Sequence, residues 1–142
     1  MPKIGEVTVN IQEAMTGALT ANIVLFALLL GAQVALRSST HGLRFALSSL
    51  DRVVQASTLE ARLGRVKNNQ LEFLVLLTPI VMIAVSNDMT IQHTHLISIG
   101  VVVGRLTYIL VALAGIPILR SACWLIGFVA WLYVLLQVAP YG

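Results

Sequence analysis

The chain has 142 residues, of which 58% are hydrophobic and only 11% are charged, and its mean hydropathy is +0.90. This composition excludes a soluble globular domain, which carries about 25% charged residues, and indicates a membrane protein. Because a bilayer core about 30 Å thick needs roughly 20 apolar residues per helix, the length predicts four membrane spans in a single domain, residues 1–142.

Basic residues are concentrated in one part of the chain. The formal net charge is +3, and six of the nine Lys and Arg residues lie between Arg37 and Lys67. This cluster is explained by membrane topology rather than by nucleic acid, because no groove of basic and aromatic residues accompanies it. It predicts that the loop between spans one and two is cytoplasmic, together with the loop before Arg120. Both termini then lie on the other side.

The first span is predicted over residues 16–37, and it is kept because the N-terminal segment lacks the features of a signal peptide. Residues 1–15 are predicted to form a short helix or arm on the surface. Arg37, one turn after Gln33, either points inward or anchors the helix end at the membrane surface. Residues 38–56 have an amphipathic pattern that predicts an interfacial helical piece.

The second span is predicted over residues 58–86, and its start is unusually polar. Ser57 and Glu60 form a predicted capping box that begins the helix. Four polar side chains then fall on one helix face, less than about a quarter-turn wide: Arg62, Arg65, Asn69 and Glu72. Charged groups at the mouth of a membrane helix are expected to face protein or a wet cavity, which indicates a functional site.

The third span, residues 92–114, carries an arginine in its apolar interior. Arg105 is followed one turn later by Tyr108 on the same face. Since a membrane arginine costs several kcal/mol unless it is paired or hydrated, Glu72 on the neighbouring helix is the predicted counter-ion. A purely structural Arg105–Glu72 pair is the alternative to a functional one. No metal site is predicted at His93 and His95, because side chains two residues apart on a helix diverge.

The fourth span, residues 118–138, follows a tight break at Gly115 and Pro117 and begins near Arg120. Its aromatic residues are predicted to pack or to form an interfacial belt: Trp124, Trp131 and Tyr133. With the predicted topology, the unusual polar groups converge on one site near the cytoplasmic boundary.

This site suits a ligand with more than one carboxylate and one ammonium group. Arginine forks bind carboxylates in a bidentate manner, and Glu72 can receive an ammonium group. Glutathione has this pattern of charges. Lowering its thiol pKa by one or two units near Arg120 corresponds to about 1.4 to 2.8 kcal/mol of thiolate stabilisation. A hydrophobic electrophile would arrive from the bilayer. An anionic lipid head group is a competing ligand.

Two motifs resemble a known family. The spacing Arg62-x-x-Arg65-x-x-x-Asn69-x-x-Glu72 is similar to the signature of the membrane-associated proteins in eicosanoid and glutathione metabolism (MAPEG), which include microsomal glutathione transferases. The second motif, Gly104-Arg105-x-x-Tyr108 followed by Gly115-x-Pro117-x-x-Arg120, resembles the junction of helices three and four in bacterial members. The likeness covers about residues 33–138.

The resemblance implies an all-α membrane protein, a four-helix bundle that assembles as a homotrimer with glutathione between subunits. It implies that Arg120 stabilises the thiolate, the catalytic role. Glutathione-binding roles are implied or expected for seven further residues: Arg37, Arg62, Arg65, Asn69, Glu72, Arg105 and Tyr108. The predicted function is a glutathione-dependent transferase or peroxidase acting on lipophilic electrophiles.

The chain also departs from the family pattern. Ala112 stands where a second tyrosine is frequent, Ala35 where an arginine is expected, and Asn68 where some members have arginine. These losses of hydrogen-bond donors motivate a second hypothesis, a non-catalytic structural or accessory subunit of a larger membrane complex. A small transporter is disfavoured because the chain has few spans and no inverted repeat.

Overall fold

A computed structural model of the chain describes residues 11–47, 55–87, 89 and 93–141. These residues form five α-helices and a final 3₁₀ turn: α1 (Ile11–His41), α2 (Leu43–Ala46), α3 (Thr58–Ser86), α4 (Thr94–Ala114), α5 (Pro117–Val138) and Ala139–Tyr141. Four of them, α1, α3, α4 and α5, are long and apolar enough to cross a membrane. The prediction of an all-helical protein with four spans is confirmed.

The four long helices form one bundle, in which α1 packs against α3 and α4, and α5 packs against α3 and α4. Polar contacts bring the end of α1, the start of α3 and the end of α4 together. His41 Nε2 at the end of α1 lies 3.4 Å from Glu60 Oε2 at the start of α3. Arg62 Nη1 donates to the carbonyl of Leu113 at the end of α4, over 3.1 Å. We call this end of the bundle, where α5 also begins, the arginine end.

The first helix is longer than predicted at both ends, since α1 runs from Ile11 to His41 instead of over residues 16–37. At its C-terminal end, α1 continues through residues with hydroxyl side chains. Ser38 and Thr40 donate to carbonyls one turn back, over 2.8 Å and 2.9 Å, and so remain compatible with helix. The four residues of α2 form a short helix within the segment predicted to be an interfacial piece. Residues 1–10 and 48–54, which complete the predicted arm and interfacial piece, lie outside the described residues.

Local sequence signals set the ends of the other long helices. The predicted capping box is confirmed, because the Ser57 hydroxyl accepts from the Glu60 backbone N–H and the Glu60 carboxylate accepts from the Ser57 backbone N–H. Gly115 ends α4 with a φ of 82°, a left-handed conformation that favours glycine. Pro117 then opens α5, where its missing N–H costs nothing. The predicted break between spans three and four is therefore built by Gly115 and Pro117.

Two apolar clusters fill the bundle. The distal core, far from the arginine end, contains ten buried residues, among them Leu77, Ala84 and Val138. The proximal core, nearer the arginine end, contains seven, among them Val66, Tyr108 and Ala112. Tyr108 of the proximal core and Phe73 of the distal core both lie against Arg105, so the two cores meet at this arginine.

Candidate functional site

A chain of buried polar side chains crosses the middle of the bundle. Asn22 on α1 and Gln70 on α3 are 0% exposed, and Arg105 on α4 is 3% exposed. Gln70 Nε2 donates to both the backbone oxygen and Oδ1 of Asn22, each over 3.1 Å. Asn22 Nδ2 in turn donates to the carbonyl of Ala18 over 2.8 Å. Three helices are thus linked through side-chain amides and a guanidinium.

Arg105 is held by neutral groups. Its Nε donates to Gln70 Oε1 over 3.0 Å. Its Nη2 donates to the backbone oxygen of Asn69 over 3.0 Å and to Asn69 Oδ1 over 3.2 Å. The guanidinium carbon also lies 4.2 Å from the centre of the Phe73 ring and 5.1 Å from that of Tyr108. These cation–π contacts and hydrogen bonds fix the guanidinium on several sides.

The predicted ion pair between Arg105 and Glu72 is wrong. In the described part of the chain the one ion pair joins His41 and Glu60. The reason is helix periodicity: two residues along α3 turn the side chain by about 200°, so Gln70 is buried against Arg105 while Glu72 is exposed. The buried position next to Arg105 therefore belongs to a neutral amide.

The first of two cavities, which we call the arginine cavity, opens at the arginine end and has a volume of about 220 Å³. Residues from α3, α4 and α5 line it: Arg62, Arg65, Val66, Tyr108, Ala112, Gly115, Ile116, Pro117 and Arg120. Three guanidinium groups and a phenol meet here, and none of these described lining residues is acidic. Such a donor set binds carboxylate or phosphate groups.

Arg62 differs from the other two arginines of this cavity. Its Nη1 donates to the carbonyls of Leu113 and Ala114 over 3.1 Å and 3.2 Å, so it satisfies the free carbonyls at the end of α4. A Cβ atom added at Gly115 would collide with its guanidinium. Glycine is therefore favoured at this position by its backbone conformation, and a larger residue would displace the Arg62 guanidinium.

The second cavity, which we call the aromatic cavity, has a volume of about 90 Å³. One wall is polar and the other aromatic: Asn69, Glu72, Phe73, Leu76 and Arg105 line it from α3 and α4, and Trp124, Phe128 and Trp131 from α5. The three rings of α5 form a ladder, with centroids 5.2 Å apart between Trp124 and Phe128 and 5.7 Å apart between Phe128 and Trp131.

The predicted site residues are therefore divided between two cavities. Arg62, Arg65, Tyr108 and Arg120 line the arginine cavity, while Asn69, Glu72 and Arg105 line the aromatic cavity. The Tyr108 ring lies against the Arg105 guanidinium, which connects the two. Arg37, on α1, lines neither cavity of its own chain.

Two functional features were missing from the sequence-based prediction. Gln70 was not singled out, although an amide in an apolar helix segment, one residue after Asn69, is itself a signal of a buried polar network. Trp124 and Trp131 were expected only to pack or to form a belt, and Phe128 was not singled out. The spacing of these three residues at i, i+4 and i+7 indicates one face of the helix, which could have placed them along a common surface.

Among the described residues, no group of three or more His, Cys, Asp or Glu side chains is arranged to hold a metal ion. His93, predicted to have no metal role, precedes α4 in a left-handed conformation, with a φ of 59°.

One protein family matches the chain over most of its length. No curated protein and no solved structure matches it significantly. The family model described as MAPEG family matches residues 14–139, nearly the whole chain. This range includes α3, α4, α5, all but the first three residues of α1, and every residue of the two cavities. The chain is therefore a member of the MAPEG family.

Proposed function

We propose that this protein is a membrane-embedded, glutathione-dependent transferase or peroxidase that acts on lipophilic electrophiles. Membership of the MAPEG family supports a function of the glutathione transferase or eicosanoid type at the level of the family. The observation that carries the specific proposal is that Arg65, Tyr108 and Arg120 line a single cavity. These side chains come from three different helices, so the cavity exists only in the folded bundle.

In this proposal the two cavities divide the recognition of glutathione. Arg65 and Tyr108 bind a carboxylate in the arginine cavity, where the guanidinium groups match carboxylate geometry. Asn69, Glu72 and Arg105 bind the peptide along the polar wall of the aromatic cavity. Arg62 contributes positive charge, although its Nη1 is already engaged by carbonyl oxygens.

Arg120 is the proposed catalytic residue. Its side chain makes no hydrogen bond within the described structure, so its guanidinium is available to stabilise the thiolate of glutathione. The thiol proton passes to water, and the sulfur then attacks an electrophilic carbon. A C–S bond forms, and the leaving group departs with its electron pair. The electrophile reaches this sulfur from the bilayer.

A homotrimer with glutathione between subunits is part of the proposal. Arg65, Asn68 and Glu72 are exposed on α3 next to exposed apolar residues such as Leu71 and Val75. Charged and amide groups on a membrane helix normally face protein or water and not lipid. Packing this face of α3 against a second copy would satisfy them, and it would let Arg37 of a neighbouring copy reach the site.

We also propose that the arginine end faces the cytoplasm, as the distribution of basic residues predicts. Glutathione would then enter from the aqueous side. The membrane lipids that surround the helices would deliver the second substrate.

The direct test measures conjugation of glutathione by the purified protein. Wild type is expected to show conjugation and thiolate absorbance on adding glutathione. Arg120→Ala should lower the rate about 10- to 100-fold, because it removes one to two pKa units of thiolate stabilisation. Arg44→Ala, on the exposed helix α2, is the matched control and should leave the rate unchanged. Equal rates for wild type and Arg120→Ala would exclude the proposed role.

A non-catalytic accessory subunit is the second candidate, because Ala112 places a methyl group in the arginine cavity where a further donor would strengthen binding. This candidate predicts no ligand binding. It is contradicted if glutathione raises the melting temperature in a saturable manner.

A further inference from the structure

We propose that Gln70, oriented by Asn22, is a positioning residue that holds Arg105 in the site without neutralising its charge, so that an anionic group of the ligand supplies the counter-charge. The idea that this anionic group is a glutathione carboxylate rests on the function proposed above. The state of Arg105 in the free protein does not depend on it.

Among the described residues, Arg105 is hydrogen-bonded only to neutral groups. Its Nε and Nη2 bind amide and carbonyl oxygens of Gln70 and Asn69. Each of these acceptors is neutral, and Glu72, the acidic side chain that lines the same cavity, makes no ion pair with Arg105. Neutral acceptors orient a guanidinium but leave its full charge in place. A buried charge without an opposite charge is costly, so a fold that keeps one is expected to use it.

The guanidinium of Arg105 faces a cavity. Arg105 lines the aromatic cavity, and its Nη1 makes no hydrogen bond in the described structure. Among the described residues, Trp131 Nε1 is the only fully buried polar side-chain atom that lacks a hydrogen-bond partner. Arg105 Nη1 also lacks a partner but is not in this group, so it is not fully buried. A donor that is partly accessible and unpaired, on a side chain that lines a cavity, is available to a ligand.

Asn22 orients the side-chain amide of Gln70. An amide side chain can present either its oxygen or its nitrogen to Arg105, and only the oxygen accepts. Asn22 fixes this choice, because its backbone oxygen and its Oδ1 both accept from Gln70 Nε2. Gln70 Oε1 is therefore directed at Arg105. Both amides are 0% exposed, so water cannot take over this function.

The test replaces the neutral acceptor by a charged one of nearly equal shape. Gln70→Glu keeps an oxygen acceptor for Arg105 and adds a negative charge. Gln70→Leu removes the acceptor. Gln137→Glu makes the same chemical change at an exposed position of α5 far from the arginine end and serves as the matched control. All variants are measured as the detergent-solubilised full chain.

The first measurement is the melting temperature without ligand. Gln70→Glu and Gln70→Leu both lose the Nε2 donor to Asn22, so wild type should melt above both variants. If the charge of Arg105 is unneutralised, Gln70→Glu should melt several degrees above Gln70→Leu. Gln137→Glu should melt like wild type. If Gln70→Glu is destabilised as much as Gln70→Leu, the proposal is overturned, because Arg105 then has no need of a negative charge.

The second measurement is binding of glutathione and of its diethyl ester, which lacks both carboxylates. In wild type, glutathione should bind more tightly than the diester. In Gln70→Glu, the affinity for glutathione should fall at least tenfold and the affinity for the diester should stay the same. An equal loss for both ligands indicates a merely structural role and overturns the proposal.

The two measurements separate this proposal from the proposed function. If wild type binds no glutathione but Gln70→Glu is clearly more stable than Gln70→Leu, the glutathione-dependent function fails while the unneutralised charge of Arg105 stands. If wild type binds glutathione and Gln70→Glu binds it equally well, the function stands and the role of Gln70 fails.

Discussion

The two halves of the bundle differ in the side chains that hold them together, which are apolar in one half and partly polar in the other. The distal core joins ten buried apolar residues, from all four long helices and from Met89 after α3. The proximal core has seven buried residues, and three of them, Val66, Tyr108 and Ala112, line the arginine cavity. The aromatic cavity borders the distal core, because Phe73 lines that cavity and lies against Arg105. Apolar packing can hold the helices together in the distal core, while the unpaired guanidinium groups lie outside it.

This difference is consistent with the physics of a bilayer. Between membrane helices, association depends on van der Waals packing and hydrogen bonds rather than on removal of apolar surface from water. The distal half is held together by van der Waals packing, and the network of Asn22, Gln70 and Arg105 is held together by hydrogen bonds. Both would resist unfolding, and Arg105 of the network also lines the aromatic cavity. Three substitutions test this division.

The largest effect on stability is expected in the distal core. Leu77 is 5% exposed, and Leu77→Ala should lower the free energy of unfolding by roughly 2–5 kcal/mol because it leaves a cavity among packed side chains. Activity per folded molecule should not change. Unfolding in detergent measures the loss, and Met82→Ala, at a position 65% exposed on the same helix, should change stability by no more than about 0.5 kcal/mol. Equal effects of the two substitutions would contradict a packed distal core.

The arginine cavity should respond in the opposite way. Arg65 is exposed and its side chain makes no hydrogen bond within the described structure, so Arg65→Gln should leave the melting temperature unchanged. A charge-assisted hydrogen bond to a carboxylate contributes about 1.5–3 kcal/mol, so the affinity for glutathione should fall about 10- to 100-fold. Titration of binding measures it. A lower melting temperature with unchanged affinity would assign Arg65 to the scaffold.

Arg62 is expected to contribute both to the stability of the fold and to the affinity for glutathione. Arg62→Gln loses the hydrogen bonds to the carbonyls of Leu113 and Ala114, so the free energy of unfolding should fall by about 1 kcal/mol. The affinity for glutathione should fall less than in Arg65→Gln, because the guanidinium is already engaged. The two variants are compared in the same unfolding and binding assays. A larger loss of affinity in Arg62→Gln than in Arg65→Gln would reverse the proposed roles.

Much of the fold could be predicted from the sequence. Long apolar runs predicted the four membrane-length helices, and the capping box at Ser57 and Glu60 and the break at Gly115 and Pro117 marked helix ends correctly. These signals are local, since each depends on a few neighbouring residues. The end of α1 was less predictable because its serine and threonine residues bond back to their own helix, and composition does not reveal that.

The site was predicted less completely. The sequence identified the polar residues of α3, α4 and α5, yet it paired Arg105 with Glu72. An opposite charge is the obvious partner in a list of residues. In the bundle, however, Gln70 is buried against Arg105, while Glu72 is exposed. A sequence lists the charges, but the rotation of each helix decides which groups meet.

The amino-acid sequence by itself determined that the protein has four long helices, where most of them begin and end, and that arginines gather at one end of them. Hydropathy and capping depend on neighbouring residues, so the chain alone carries this information. The tertiary structure decided that the polar residues line two cavities instead of one, that Arg62 binds the end of α4, and that Arg105 is held by neutral amides. These facts depend on how far each helix is rotated and shifted against its neighbours, which is set by packing across the whole bundle.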